Sequence, residues 1–362
     1  MAKDLFAAPF DDGTKKKLEI FREYLKSWLP TFTQRRELIW KHILIYDFFS
    51  GEGMDSEGNS GSPLIILEEL KEHHEIIKKR KLIVRVVLNE KVKSKFKKLC
   101  ANTEDFLKDV PYHHIRENRD FQEYFAELYP KMANHKRLPR LIFLDQNGIK
   151  HITPNIFKSL IALKTTDIIF YISSSYLRRF SELPEFNRYI KITKSKFDTS
   201  RPYHSHRIVF EYYQDLATGS DYYLAPFSIK KGANVYGLIF GSNHSLGIEK
   251  FLKIAWKLNS NSGDADFNID EEAFLETRQM SIFMEENMPK KLTLFENNLK
   301  KYILNGDLKT NKEIYNYTFE QGCLPKHSNK VIRQLIREEK IGPLKTSYEN
   351  IHRLEVDNII LK

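Results

Sequence analysis

At 362 residues, with 41% hydrophobic and 29% charged content, the chain has material for one large domain with an appendage or for two domains. No run approaches the roughly 20 apolar residues of a membrane span, and the start Met1-Ala2-Lys3-Asp4 has no long apolar stretch, so neither a membrane span nor a signal peptide is expected. A formal charge of +10 favours a polyanionic partner, while two distant cysteines, Cys100 and Cys323, give no disulfide framework and no metal pattern and fit a reducing cytoplasm.

In chain order, Leu18, Phe21, Leu25 and Trp28 recur at helical spacing and predict a helix over Gly13 to Trp28. The apolar run Ile43-Leu44-Ile45-Tyr46 ends in Asp47 and predicts a first strand. Gly51 to Gly61 holds four glycines and reads as a loop, and a helix follows from Pro63. Lys81 to Leu88, rich in valine, is a second strand that ends in Asn89-Glu90, and Lys91 to Cys100 is a basic helix. Further strands are predicted over Tyr112 to Ile115, Leu141 to Leu144 (ending at Asp145) and Asp167 to Ile172. Strands alternating with helices imply βαβ units and a parallel sheet. Tyr222–Ile229 and Val235–Phe240 then read as an antiparallel hairpin closing that sheet. The His204-Ser205-His206 pair lacks the acidic or cysteine partners of a metal site and is expected on a surface or substrate-facing loop; His244 is expected to be structural.

From about Leu292, three helices follow one another. Thr310-Asn311-Lys312-Glu313 has a capping-box pattern at the start of the second, and Gly322 suits its C-terminal end. In the third, Val331, Ile332, Leu335 and Ile336 mark a buried side. Lys326, Lys330, Arg333 and Arg337 recur at spacings of four, three and four and share one face. Pieces around Pro343 and Asn358–Leu361 complete a winged helix-turn-helix pattern. The basic stripe is then a candidate nucleic-acid surface; a solvated helix face and a protein-docking module are the competing readings.

Asp47-Phe48-Phe49-Ser50-Gly51-Glu52-Gly53, a strand end, glycine turn and helix in sequence, resembles motif I of class I S-adenosylmethionine (SAM) methyltransferases. That resemblance implies a cofactor site with Asp47, Phe49, Gly51 and Gly53 at the turn. Gly51 and Gly53 permit close backbone approach because they lack Cβ. Glu90, at the end of the second strand, suits the ribose hydroxyls, and Asp120, after the third, is a candidate for the adenine. Asp145, at the mouth of the sheet, is the candidate catalytic carboxylate, orienting a substrate amine or hydroxyl; it equally suits a cap for the turn at Asn147-Gly148.

The ordered set Thr14 with Lys17, Asp47 to Gly53, Gly61-Ser62-Pro63, Asp145-Gln146-Asn147-Gly148, Asn243-His244-Ser245-Leu246-Gly247 and Gly322 to Lys330 resembles the three-Cys-motif partner proteins over nearly the whole chain. The resemblance implies a class I methyltransferase-like Rossmann fold with a terminal hairpin over 1–290, a winged helix-turn-helix domain over 291–362 and a partner bearing a three-cysteine motif; SAM as cofactor follows from the motif I resemblance, and no metal is expected. One departure stands out: Gln146 and Asn147 replace the proline and aromatic that often follow the fourth-strand aspartate. The leading expectation is a cytoplasmic SAM-dependent methyltransferase acting on nucleic acid, DNA or RNA. The alternative is a non-catalytic nucleic-acid-binding or sensor subunit working through its partner protein.

Overall fold

The computed structural model describes residues 8–146, 148–184, 189–197, 204–232, 234–267, 269 and 291–362. Its centre is a sheet of seven strands: β1 (His42–Asp47), β2 (Ile83–Asn89), β3 (His113–Glu117), β4 (Arg140–Leu144), β5 (Thr166–Ile172), β6 (Tyr223–Lys231) and β7 (Asn234–Ser242). They lie in the order β3-β2-β1-β4-β5-β7-β6. The first five run parallel, while β7 is antiparallel to both β5 and β6. This is the expected class I methyltransferase-like arrangement, with the hairpin at the sheet's end. The order reverses between β1 and β4, so a crevice opens there beyond the carboxyl ends of the strands.

Period-two alternation explains the two covered faces. Ile43 and Ile45 of β1, with Leu141 and Phe143 of β4, enter one core. Leu44 and Tyr46, with Ile142 and Leu144, enter the other. The first face is covered by α1 (Asp12–Thr33) and α2 (Ser62–Glu72). The short α3 (His74–Arg80) and α4 (Lys93–Thr103) flank it. The second face is covered by α5 (Phe121–Asn134), α6 (Pro154–Ala162), α7 (Ser174–Phe180) and α8 (Ser205–Ala217). α9 (Ser245–Leu258) returns to the first face through Ile248, Phe251 and Leu252. α1 runs past the Trp28 end read from sequence, because Leu29 and Phe32 continue its buried side.

The C-terminal part contains α10 (Lys291–Leu304), α11 (Asn311–Glu320) and α12 (Pro325–Arg337). Thr310 and Glu313 form the capping box of α11. Gly322 turns the chain with φ +63°, a conformation that suits glycine. Short bridges join Thr310 to Asn358 and Ile341 to Leu361 and make the wing. Buried polar groups hold it together: Tyr315 donates to Asn329 (2.6 Å), Asn329 donates to the Ser347 carbonyl (2.9 Å), and the Ser347 amide returns to the Tyr315 oxygen (2.9 Å). This winged helix shares the first core. Phe295, Ile314, Phe319 and Val331 join the cluster that contains Trp256 of α9, and the Trp256 indole donates to the Gly322 carbonyl at 2.9 Å.

The loop expected at His204-Ser205-His206 is corrected. Ser205 and His206 open α8, and His206 is fully buried. Its Nε2 contacts the Leu238 carbonyl at 3.0 Å, so that nitrogen donates, and Nδ1 then accepts from the Ser174 hydroxyl at 2.8 Å. Burial pushes the imidazole down to about 4, which keeps it neutral. Sequence reading missed this because a histidine flanked by polar residues resembles a surface segment until the sheet covers it. The ring fills space left by Gly237, where an added Cβ would lie 2.2 Å from Nε2. Gly237→Ala should therefore lower stability by about 1–3 kcal/mol through overpacking; an unchanged urea midpoint would refute that packing.

Candidate functional site

The carboxyl ends of β1, β2 and β4 converge on the crevice. Register pairs Asp47 with Leu88 on one side and Phe143 on the other, so Asp47, Glu90 and Asp145 leave the sheet at nearly one level. Asp47 is fully buried. Its carboxylate accepts from the Ser62 hydroxyl (2.7 Å) and the Phe49 amide (3.2 Å). The motif acid thus ties the strand end to the start of α2 and shapes the turn between them. Desolvation pushes its carboxyl up to about 7, with the hydrogen bonds from Ser62 and Phe49 opposing and the neighbouring Asp145 charge adding to the rise.

Gly51 and Gly53 both have positive φ, +63° and +94°, which the turn requires. The Gly51 amide donates to Glu90 Oε2 (3.0 Å) and the Val92 amide to Glu90 Oε1 (2.7 Å). Glu90 therefore binds the glycine turn to the second loop, and each oxygen keeps lone-pair capacity for a further donor. The Gly53 carbonyl accepts from the Gly61 amide (2.8 Å), closing the loop. Asn89, 1% exposed, donates to the Phe48 and Arg119 carbonyls (both 3.1 Å) and accepts from the Arg119 amide (3.2 Å). It fastens the loops after β1, β2 and β3. Sequence reading assigned it no role; a polar residue closing a valine-rich strand was the available signal.

Phe49 faces Phe121 and His151, with ring centroids 5.0 and 5.1 Å away, and forms an aromatic edge at this rim. Asp120 caps α5, accepting from the Gln122 (2.9 Å) and Glu123 (3.3 Å) amides, and pairs with Lys91 at 2.9 Å. Its charge is thus already answered by protein groups, though the His151 imidazole lies within its field.

Asp145 is about a quarter exposed and pairs with Lys17 of α1, whose side chain is buried. The Lys17 ammonium also sits 4.7 Å from the Tyr171 ring centroid. Beside it, Gln146 Oε1 accepts from the His151 (3.0 Å) and Ile152 (3.3 Å) amides and closes the loop after β4. Asn147 lies outside the described residues. Gln146 Nε2 is buried with no partner among the described residues. Lys17 was legible only as part of a motif; its partner lies 128 residues away, beyond any local pattern.

The stripe Lys326, Lys330, Arg333 and Arg337 is exposed on α12, opposite buried Val331, Ile332 and Leu335. Lys330 pairs with Glu296 of α10 at 2.8 Å, and Arg333 lies 5.3 Å from the Tyr348 ring. Lys326 and Arg337 have no salt bridge among the described residues. No described helix is long and apolar enough to cross a membrane.

Residues 266–347 match the model of a family described as the GMT-like wHTH domain. No curated protein matches the chain in sequence. Among solved structures, the chain is similar to Trm1 from Pyrococcus horikoshii in complex with S-adenosyl-L-methionine, at 10% identity over 97% of this chain and 91% of that one, with a TM-score of 0.39. It is also similar to the O-methyltransferase TomG from Streptomyces achromogenes in complex with SAM, at 12% identity over 67% and 98%, with a TM-score of 0.34. A third is the B. subtilis M1A22 tRNA methyltransferase TrmK, at 9% identity over 88% and 96%, with a TM-score of 0.30.

The buried Asp47 carboxyl has a direct consequence for stability. Its pKa rises from 3.8 to about 7 on folding, so between those values the native state holds a proton that the unfolded chain has lost. The stabilisation this gives is complete below about pH 4 and is lost as pH rises through about 7, by at most about 4 kcal/mol. Asp47→Asn should flatten that decline in urea melts taken from pH 5 to pH 8; an identical slope in both proteins would place the titration elsewhere.

Proposed function

We propose that this chain is a SAM-dependent methyltransferase acting on nucleic acid, with a methyltransferase-like domain over 1–290 and a winged helix over 291–362 that recruits the substrate. The observation that carries the reading is the convergence of Asp47, the Gly51–Gly53 turn, Glu90 and Asp145 at the switch point of the sheet. The residues present fit SAM. Glu90 is held by two backbone amides and keeps acceptor capacity for ribose hydroxyls. Half-buried Phe49 and His151, packed beside buried Phe121, leave aromatic surface for a base, with Asp120 nearby. When bound, SAM supplies an electrophilic methyl on a sulfonium. The role assigned to Asp145 is to orient a substrate amine or hydroxyl, with Lys17 fixing the carboxylate by charge and hydrogen bond. A cytoplasmic location accompanies this reading.

A second reading rests on the same ion pair. Lys17 neutralises Asp145, and the turn that follows lacks the proline and aromatic of amino-methyltransferases. That combination supports a non-catalytic nucleic-acid-binding or sensor subunit that acts with a three-Cys-motif partner protein. Asp145→Asn separates the two: transfer should fall while SAM binding persists, and transfer at the wild-type rate would remove Asp145 from the chemistry.

Cofactor binding is testable alone. SAM or its demethylated product should raise the melting temperature, by linkage worth about 2.7 kcal/mol at a hundred times Kd. Glu90→Gln, which keeps the size but removes the carboxylate, should weaken binding about tenfold. Gly51→Val should abolish it by filling the turn. No thermal shift and no calorimetric heat with the wild-type protein would sink the cofactor assignment.

Recruitment by α12 should be electrostatic. Affinity for DNA or RNA should fall steeply with salt, and Lys330→Ala with Arg333→Ala should weaken binding similarly across sequences and flatten the salt slope by roughly one to two units. Full-length protein is the right material, since the winged helix shares its core with α9. Salt-independent binding, or none alongside capture of a partner protein, would make α12 a docking element.

A further inference from the structure

A second cavity lies at the opposite end of the strands from the crevice, where β5 begins and β7 ends. It has a volume of about 490 Å³, inside the roughly 300–1,000 Å³ range of small-molecule sites. Three distant segments build it: the C-terminal half of α1 with the residues up to Trp40, the Asn243-to-Lys250 segment at the start of α9, and Asn350 to Arg353 in the wing loop. The third wall is fixed in place. Glu249, 2% exposed, accepts from the Asn350 (3.0 Å) and Ile351 (3.3 Å) amides, and Lys253 bridges Glu249 to Glu349 at 3.1 and 2.9 Å. The cavity therefore exists only because the winged helix is seated on the sheet domain.

Its lining is aromatic and positively charged. Trp28, Phe32 and Trp40 form a tilted, edge-to-face cluster with centroids 4.7 and 5.3 Å apart, in which Trp40 is the half-buried member, and the Arg35 guanidinium lies 5.5 Å from the Trp40 ring. Among the described residues, three cations line the space: Arg35, Lys250 and Arg353. None has a salt bridge among the described residues. Among the described residues Lys250 donates to neutral oxygens, the Ser27 carbonyl and the Thr31 hydroxyl. Asp167, the one carboxylate of the lining among the described residues, is fully buried and accepts from the Tyr24 hydroxyl at 2.7 Å. His352 leaves Nδ1 buried without a partner among the described residues. The amides of Asn243 and Asn350 add paired donors and acceptors, the chemistry that reads a base edge.

We infer that this interdomain cavity binds a nucleoside monophosphate, with the base against Trp40 of the aromatic cluster and the phosphate between Arg35 and Arg353. The inference does not rest on the methyltransferase reading. A flat ring finds aromatic surface at Trp40, and a dianion finds Arg35 and Arg353, which have no salt bridge among the described residues; neither a plain sugar nor a cationic ligand meets both conditions.

The test is calorimetry on the full chain with AMP, GMP, CMP and UMP, beside the matching nucleosides and inorganic phosphate. At least one monophosphate should bind. Its nucleoside and phosphate alone should each bind at least tenfold more weakly. Arg353→Ala, an exposed position whose loss should leave the fold intact, should cost about tenfold or more, and Arg35→Ala the same. Binding should persist in saturating S-adenosylhomocysteine and in Glu90→Gln, which separates this site from the crevice at β1 and β4. Absence of heat with all four monophosphates at millimolar concentration overturns the proposal. So does binding that S-adenosylhomocysteine abolishes or that both arginine variants leave unchanged.

Discussion

Two aspartates on neighbouring central strands must be answered by donors, and one helix answers both. Asp145 at the end of β4 takes the buried Lys17 ammonium, and Asp167 near the start of β5 takes the Tyr24 hydroxyl. Lys17 and Tyr24 are seven residues apart on α1, two helical turns, and so lie on one side of it. Left unanswered, the fully buried Asp167 carboxylate would cost several kcal/mol, and the partly exposed Asp145 less. The position of α1 across the sheet is therefore set by charge as well as by the packing of Phe21 on Phe143, whose ring centroids are 4.2 Å apart.

Everything proposed for the molecule hangs on that placement. At its N-terminal end α1 closes on the crevice, and Lys17 governs what Asp145 can do there. At its C-terminal end the same helix supplies Trp28, Thr31 and Phe32 to the second cavity. The winged helix completes that cavity through a loop held by Glu249. The two sites and the basic stripe thus belong to one packed body, because the core that begins under α1 continues through Trp256 into α10, α11 and α12. A ligand in the cavity would touch both the sheet domain and the wing, and so would stabilise the docked arrangement of the two.

The crevice itself is built by loops that hold one another. Glu90 receives the amide of Gly51, Asn89 links three loops, and Asp47 secures the start of α2. These bonds place the turn before any ligand arrives, which lowers the ordering cost of binding. They also divide labour among the acids. Asp47 acts from within, while Glu90 and Asp145 keep a share of the rim.

By itself the sequence determined the pieces whose signals are local. Alternation in Ile43–Tyr46 and Leu141–Leu144, the glycine turn, the Tyr223–Ser242 hairpin and the capping box of α11 each depend on residues within a few positions, and each reads directly. The single-face spacing of Lys326, Lys330, Arg333 and Arg337 is of the same kind, since helical period alone fixes it. Only the tertiary structure decided the rest. It paired Lys17 with Asp145, buried His206 against Gly237, set Gln146 to accept the His151 and Ile152 amides, and gathered residues 24–40, 243–250 and 350–353 around one cavity. No period links positions a hundred or more residues apart; they meet because the strand order and the docking of α9 and the winged helix bring them together, and because buried charges and amides accept few other partners.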